Sequence, residues 1–286
     1  MENPVYRLHL PATRRSAAVF SSPHSGSDYP AAFLIATQLD PLQIRSSEDA
    51  FVDELFAAAP AAGAPLLAAR VPRAWIDLNR APDDLDPALI AGASRRHLNA
   101  RIAAGLGVIP RVVGEGRPIF QGKLTLAEAE RRIASHWHPY HDRLRMLLSE
   151  ARAEHGTALL FDCHSMPHDA LNAAQTVWGR RPEVVLGDRF GVSCDRWLID
   201  AATDLFAAAG FAVGRNTPFA GGYITQTYGR PRLGMQALQI EIDRSLYMDE
   251  TRIERLPGFA EVAGLVGRVV TGLAELRPMP VPIAAE

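Results

Sequence analysis

Four polar clusters stand where an apolar run ends or a helical run begins, and in α/β sheets functional side chains gather at such places because the loops there meet over one crevice. His24 follows the apolar run Ala17-Ala-Val-Phe-Ser and sits in the loop Pro23-His-Ser-Gly. A neutral imidazole on such a loop suits a metal ion, and a His that merely caps a turn is the plainer alternative. His164 emerges from another apolar run, in Phe161-Asp-Cys-His-Ser-Met. Asp162 lies two residues away on the same side of that strand and suits a partner that fixes the ring. Asp49 and Asp53 are four apart, a spacing that places both carboxylates on one helix face, beside the apolar Val52 and Phe56. Carboxylates beside an apolar stripe are costly unless paired or metal-bound, although acids at a helix start also favour its dipole. Glu241 sits mid-run in Ala237-Leu-Gln-Ile-Glu-Ile-Asp, on the face shared with Gln239 and Asp243. Facing a pocket it would be a general base; on an edge strand it would be a solvated acid.

Two histidines, one carboxylate and an open position are a common way to hold catalytic zinc. A separate Glu then takes a proton from the attacking water, and an Arg stabilises the oxyanion of the attacked carbonyl. Arg80, closing Asp77-Leu-Asn-Arg, suits that last role. Spacing alone does not select these residues, because the chain has no HExxH or CxxC motif.

Positioning these groups requires alternating strands and helices, which argues for an α/β fold. Strands are expected at Ala17–Ser21, Ala74–Leu78, Thr157–Asp162, Phe211–Val213 and Ala237–Asp243. A helix is expected to begin near Ser47 and another to run from about Cys194 to Ala209. The stretch from Leu126 to Glu154 reads as a long amphipathic helix interrupted near Pro139. The Thr157–Asp162 run is almost wholly apolar, as a central strand covered on both faces must be. The Pro-rich stretch at 278–282 reads as a tail.

The 286 residues are 48% hydrophobic, with a formal net charge of −2. That balance argues against nucleic acid as a partner, which selects for a basic surplus. The arginines are scattered or paired, as in Arg95–Arg96 and Arg131–Arg132, a pattern of solvated helix faces. Two cysteines, Cys163 and Cys194, are too few for a disulfide framework and fit a reduced, cytoplasmic setting. No secretory signal is legible at the N-terminus. The longest apolar tract, Ala57 to Ala69, is broken by Pro60, Gly63 and Pro65 and does not suit a membrane span. Neither nucleic acid nor a membrane is expected as a partner.

Eight segments together resemble the N-formylglutamate amidohydrolase family. They are Pro23-His-Ser-Gly, Glu48-Asp-Ala-Phe-Val-Asp, Ile76-Asp-Leu-Asn-Arg, Pro139-Tyr-His-Asp, Phe161-Asp-Cys-His-Ser, Gly221-Gly-Tyr-Ile-Thr, Tyr228-Gly-Arg-Pro and Gln239-Ile-Glu. They follow the family's order from about residue 20 to 250. The resemblance implies one catalytic domain over residues 1–286, with its core at about 15–275. It implies a three-layer α/β/α sandwich around a mixed sheet, similar to zinc carboxypeptidases and aspartoacylases. It implies zinc at His24 and His164, Glu241 as base, and Asn79-Arg80 as substrate-binding. Those relatives carry a Glu three residues after the first His, where this chain has Ser27. Asp49 is the expected third ligand, with Asp53 behind it. Tyr223 and Arg230 are candidate contacts for an acidic substrate, Arg230 through a bidentate carboxylate bond. His141, three residues after His138, is a lesser candidate ligand. The implied reaction is hydrolysis of N-formyl-L-glutamate or a similar N-acyl amino acid. A zinc peptidase and a non-catalytic binding protein on the same scaffold are the alternatives.

Overall fold

A computed structural model describes residues 5–94, 99–174, 176–177 and 179–277; Arg95–Arg96 and the 278–282 stretch lie outside the described residues. Seven strands form one mixed sheet: β1 Tyr6–His9, β2 Ala18–Ser22, β3 Leu66–Ala69, β4 Ala158–Met166, β5 Val184–Gly187, β6 Val213–Arg215 and β7 Met235–Asp243. Their order across the sheet is β1-β3-β2-β4-β7-β5-β6. The middle four, β3-β2-β4-β7, run parallel. β1 is antiparallel to β3, β5 is antiparallel to β7, and β6 is parallel to β5.

Helices α2 (Leu126–Arg132) and α3 (His138–His155) cover one face of the sheet, where Leu144 and Leu147 pack with Val19, Leu160 and Ala237. Helices α4 (Arg196–Ala208) and α6 (Phe259–Glu275) cover the other, where Leu198, Phe206, Val266 and Val270 pack with Phe161, Leu238 and Ile240. This is the expected three-layer sandwich. All nine residues of β4 are buried, which an apolar run tolerates and which forces every polar side chain there to find a partner. On the α3 face the side chains change along each strand from apolar to polar: Leu160, then Asp162 and His164 on β4, and Ala237, then Gln239 and Glu241 on β7. Strand alternation assigns these residues to one face, and a cavity opens where the apolar packing ends.

Three expectations are corrected. Ala74–Leu78 is not a strand; the sheet position belongs to Leu66–Ala69. Pro60, Gly63 and Pro65 interrupt the apolar tract before this strand and so mark where it starts. Residues 74–80 form the turn beyond β3, tied down by the bond from Asp77 N–H to the Val108 carbonyl at 2.8 Å. The helix expected near Ser47 begins only at Val52, as α1 (Val52–Leu55), after Phe51 adopts a left-handed φ of 65°. Asp49 therefore precedes α1 and does not share its face with Asp53. The interruption near Pro139 is a π turn over Ile133–Trp137 that joins α2 to α3, with Pro139 in the first turn of α3, where its ring is tolerated. Cys163 and Cys194 are free and buried, and no helix of the described residues is long and apolar enough to cross a membrane.

Candidate active site

His24 lies two residues past the end of β2, His164 near the end of β4, and Asp49 in the turn before α1. One ligand atom from each lies within 4.8 Å of the others, and all three residues are buried. Asp49 is brought there by its own N–H, which donates to the His24 carbonyl at 3.1 Å. Gly26 lets this loop close: a Cβ on it would come within 2.2 Å of the Val71 carbonyl oxygen.

The two imidazoles are oriented alike. His24 Nε2 lies 2.7 Å from Asp77 Oδ1, and His164 Nε2 lies 3.1 Å from Asp162 Oδ2. If each carboxylate accepts an Nε2–H, both Nδ1 atoms turn toward Asp49 Oδ2, at 3.3 Å from His24 and 2.9 Å from His164. Carboxylates behind histidines are how proteins fix the tautomer of a metal ligand. The fit to a metal shows in His24 Nδ1, a buried nitrogen that has no hydrogen-bond partner. Two imidazole nitrogens and one carboxylate oxygen are donors that suit zinc.

The electrostatics agree. Burial opposes charge on Asp49, yet His164 and His24 hold its carboxyl well below the usual carboxylate range. Against the same penalty Arg73 and His24 hold Asp77 well below that range. Burial disfavours a charged His164, but Asp162 and Asp49 hold its imidazole well above the usual range. A field that retains a proton at this point also favours a cation in its place.

Glu241 lies directly beside His164 across the parallel β4–β7 pair. The strand is interior to the sheet, so Glu241 is buried and not a solvated edge acid. Burial pushes its carboxyl up to about 7, with His164 opposing. Gln239 Nε2 donates to its Oε1 at 2.8 Å. His24, Asp49, His164, Asn79, Arg80 and Glu241 all line one cavity of about 560 Å³.

Asn79 reaches this cavity but is committed to the protein. Its Oδ1 accepts from the Ile224 N–H at 2.8 Å, and its Nδ2 lies 3.1 Å from Asp162 and 3.0 Å from His164 Nε2. It ties helix α5 (Tyr223–Tyr228) to Asp162, the carboxylate behind the His164 ring, and Gly222 is needed beside it because a Cβ there would lie 2.5 Å from the amide. Arg80 is held by two backbone carbonyls, of Leu106 at 2.9 Å and Asn79 at 3.0 Å. The structure does not bring Tyr223 or Arg230 to the cavity lining. Tyr223 packs against Trp137 and His141, and Arg230 donates to the carbonyls of Gln226 and Gly229, because the turn after α5 points its side chain along its own backbone. Asp53 points to Arg7, at 3.5 Å. His141 is no ligand among the described residues: it is buried between the Tyr228 hydroxyl at 2.8 Å and the Leu78 carbonyl at 2.9 Å.

Sequence reasoning missed three residues that hold the site. Asp77 lies inside a segment singled out for other residues. Arg73 pairs with Asp77 at 2.8 Å. Arg244 donates to Asp49 Oδ1 at 2.9 Å and to Ser165 Oγ at 3.2 Å, partners 195 and 79 residues away along the chain that no local pattern marks.

Residues 16–248 match the sequence profile of N-formylglutamate amidohydrolase. An N-formylglutamate deformylase of Pseudomonas putida is 36% identical over 206 residues, 71% of each chain. One from Pseudomonas aeruginosa is 33% identical over 239 residues, 82% of this chain and 84% of that one. The crystal structure of N-formylglutamate amidohydrolase from Ralstonia eutropha JMP134 superposes with a TM-score of 0.88 at 36% identity, covering 96% of this chain and 98% of that one.

Proposed function

Because this chain belongs to the N-formylglutamate amidohydrolase family, we propose that it hydrolyses the amide of a small N-acyl amino acid, N-formyl-L-glutamate, to formate and L-glutamate. The observation that carries this reading is the convergence of His24, Asp49 and His164 beside Glu241 in one cavity. His24, Asp49 and His164 would hold one zinc ion. Zinc supplies a Lewis acid that polarises an amide carbonyl and acidifies water. Glu241 takes a proton from the attacking water as its oxygen bonds to the acyl carbon. It returns that proton to the nitrogen as the C–N bond breaks. A carboxyl raised to about 7 by burial is matched to both halves of that transfer near neutral pH. Gln239 steadies one carboxylate oxygen. Arg80, half-buried on the cavity wall, faces the carbonyl oxygen as negative charge develops there. Asn79 serves the reaction by holding Asp162, the carboxylate behind the His164 ring. We read the chain as a single catalytic domain with its core at about 15–275, acting in the cytoplasm with both cysteines reduced.

The test joins metal analysis to formate release over a panel of N-acyl amino acids. About one divalent ion per chain is expected, with Asp49→Asn losing far more metal affinity than Asp53→Asn, and N-formylglutamate is expected to be the best substrate. Metal that stays bound after His164→Ala and Asp49→Asn would overturn the site. Faster cleavage of peptides would replace the substrate and favour a peptidase, and no hydrolysis of any amide would favour a binding protein.

A further inference from the structure

Among the described residues, four arginines line the cavity: Arg73, Arg80, Arg101 and Arg244. Two are neutralised inside it, Arg73 by Asp77 and Arg244 by Asp49. The other two form no ion pair among the described residues. Arg80 is fixed by neutral carbonyls, so its position is set without a carboxylate in direct contact. Arg101 is exposed, on the short helix Ala100–Ala103. That helix is anchored at its start: Asn99 Oδ1 accepts from the Ile102 N–H at 2.9 Å, and Asn99 Nδ2 donates to Asp84 at 3.0 Å. Glu115 also lines the cavity, but it is paired with Arg117.

The cavity is therefore polarised. Its floor carries the buried carboxylates Asp49, Asp77 and Glu241, and its outer wall carries these two guanidiniums. Arg80 is half-buried and Arg101 exposed, so Arg80 lies nearer the reacting groups and Arg101 nearer solvent. An N-acyl amino acid whose amide meets Glu241 and Arg80 directs the rest of the molecule outward. A carboxylate on that outward part meets Arg101 on the wall, whose planar fork suits two-oxygen recognition. Arg230, the candidate read from sequence, is spent on its own backbone outside the cavity.

The geometry points to Arg101 as the residue that reads the side-chain carboxylate of the substrate, making the site selective for N-acyl derivatives of dicarboxylic amino acids. The inference rests on the amidohydrolase reading for the direction of the substrate, but binding alone tests it. Glutarate and pentanoate, both five carbons long and differing by one carboxylate, are titrated calorimetrically into the metal-loaded parent, Arg101→Gln and Arg101→Lys. The parent is expected to prefer glutarate. Arg101→Gln should shrink that preference roughly 10- to 100-fold, as losing a charged hydrogen bond does, and Arg101→Lys should restore part of it. In kinetics the same loss should fall on KM for N-formylglutamate more than on kcat. A preference unchanged within twofold in Arg101→Gln, or no preference in the parent, overturns the assignment. Arg101-dependent selectivity for glutarate without formate release would instead refute the hydrolase reading and leave this one standing.

Discussion

Asp77→Asn tests whether the carboxylate behind His24 makes it a ligand. Asp77 Oδ1 lies 2.7 Å from His24 Nε2 and accepts the Asn79 N–H at 2.9 Å, while Oδ2 takes Arg73 at 2.8 Å. Asparagine keeps the shape and one acceptor oxygen, so the turn at residues 77–79 should survive. It loses the charge that holds the imidazole, and its amide NH₂ is a donor facing a donor at Arg73. A hydrogen bond to a charged group contributes about 1.5–3 kcal/mol, and losing such a support behind a metal ligand typically costs 10–100-fold in affinity. The expected loss of zinc affinity is therefore roughly 10–100-fold, or about 1.4–2.7 kcal/mol. Arg73, 4.0 Å from Asp49 and no longer neutralised by Asp77, adds to the loss by repelling the cation. Competition with a chromophoric chelator measures the affinity, and a thermal melt of the metal-free protein checks the fold. A folded variant that binds zinc within twofold of the parent would refute the claim that Asp77 orients a ligand.

Glu241→Gln should keep the fold and the metal and lose about 10²–10⁴-fold in kcat, the usual cost of removing a general base; near-parental turnover in a stopped formate assay would remove Glu241 from the role, and lost metal would make it a ligand. His141 is held neutral by burial, its imidazole pushed down to about 4, so the unfolded chain, titrating near 6.5, binds the extra proton. Its contribution is thus complete above about pH 6.5 and is lost as pH falls from there to about 4, roughly 3 kcal/mol in all. Urea unfolding of parent and His141→Gln at pH 7 and pH 5 should show a smaller drop in the variant, by about 2 kcal/mol; parallel losses would show that His141 does not titrate on unfolding.

The strands at 18–22, 158–166 and 235–243 were legible because each is a run of residues that only a covered strand can use. His24, His164 and Glu241 stood out because polar groups at the end or in the middle of such runs need partners. The family resemblance rests on the same short segments and set the direction of the chemical reading. Hydrophobic periodicity and turn residues are properties of the local chain, and local burial is what they report. What a carboxylate or guanidinium faces depends on distances between elements far apart in sequence. Asp49 and Asp53 look equivalent at four-residue spacing, until the left-handed turn at Phe51 separates them and sends one to the histidines and the other to Arg7. Arg230 is the cation that the sequence offers and Arg101 goes unmarked there, yet Arg230 bonds its own turn and Arg101 lines the cavity. Asp77 and Arg244 carry no local signature, because each acts only through residues brought beside it by the sheet and the turns around it. Local runs along the chain specify the strand ends and the kinds of side chain available there; the packing of those elements selects which charges cancel and which stay free to hold a cation or a substrate.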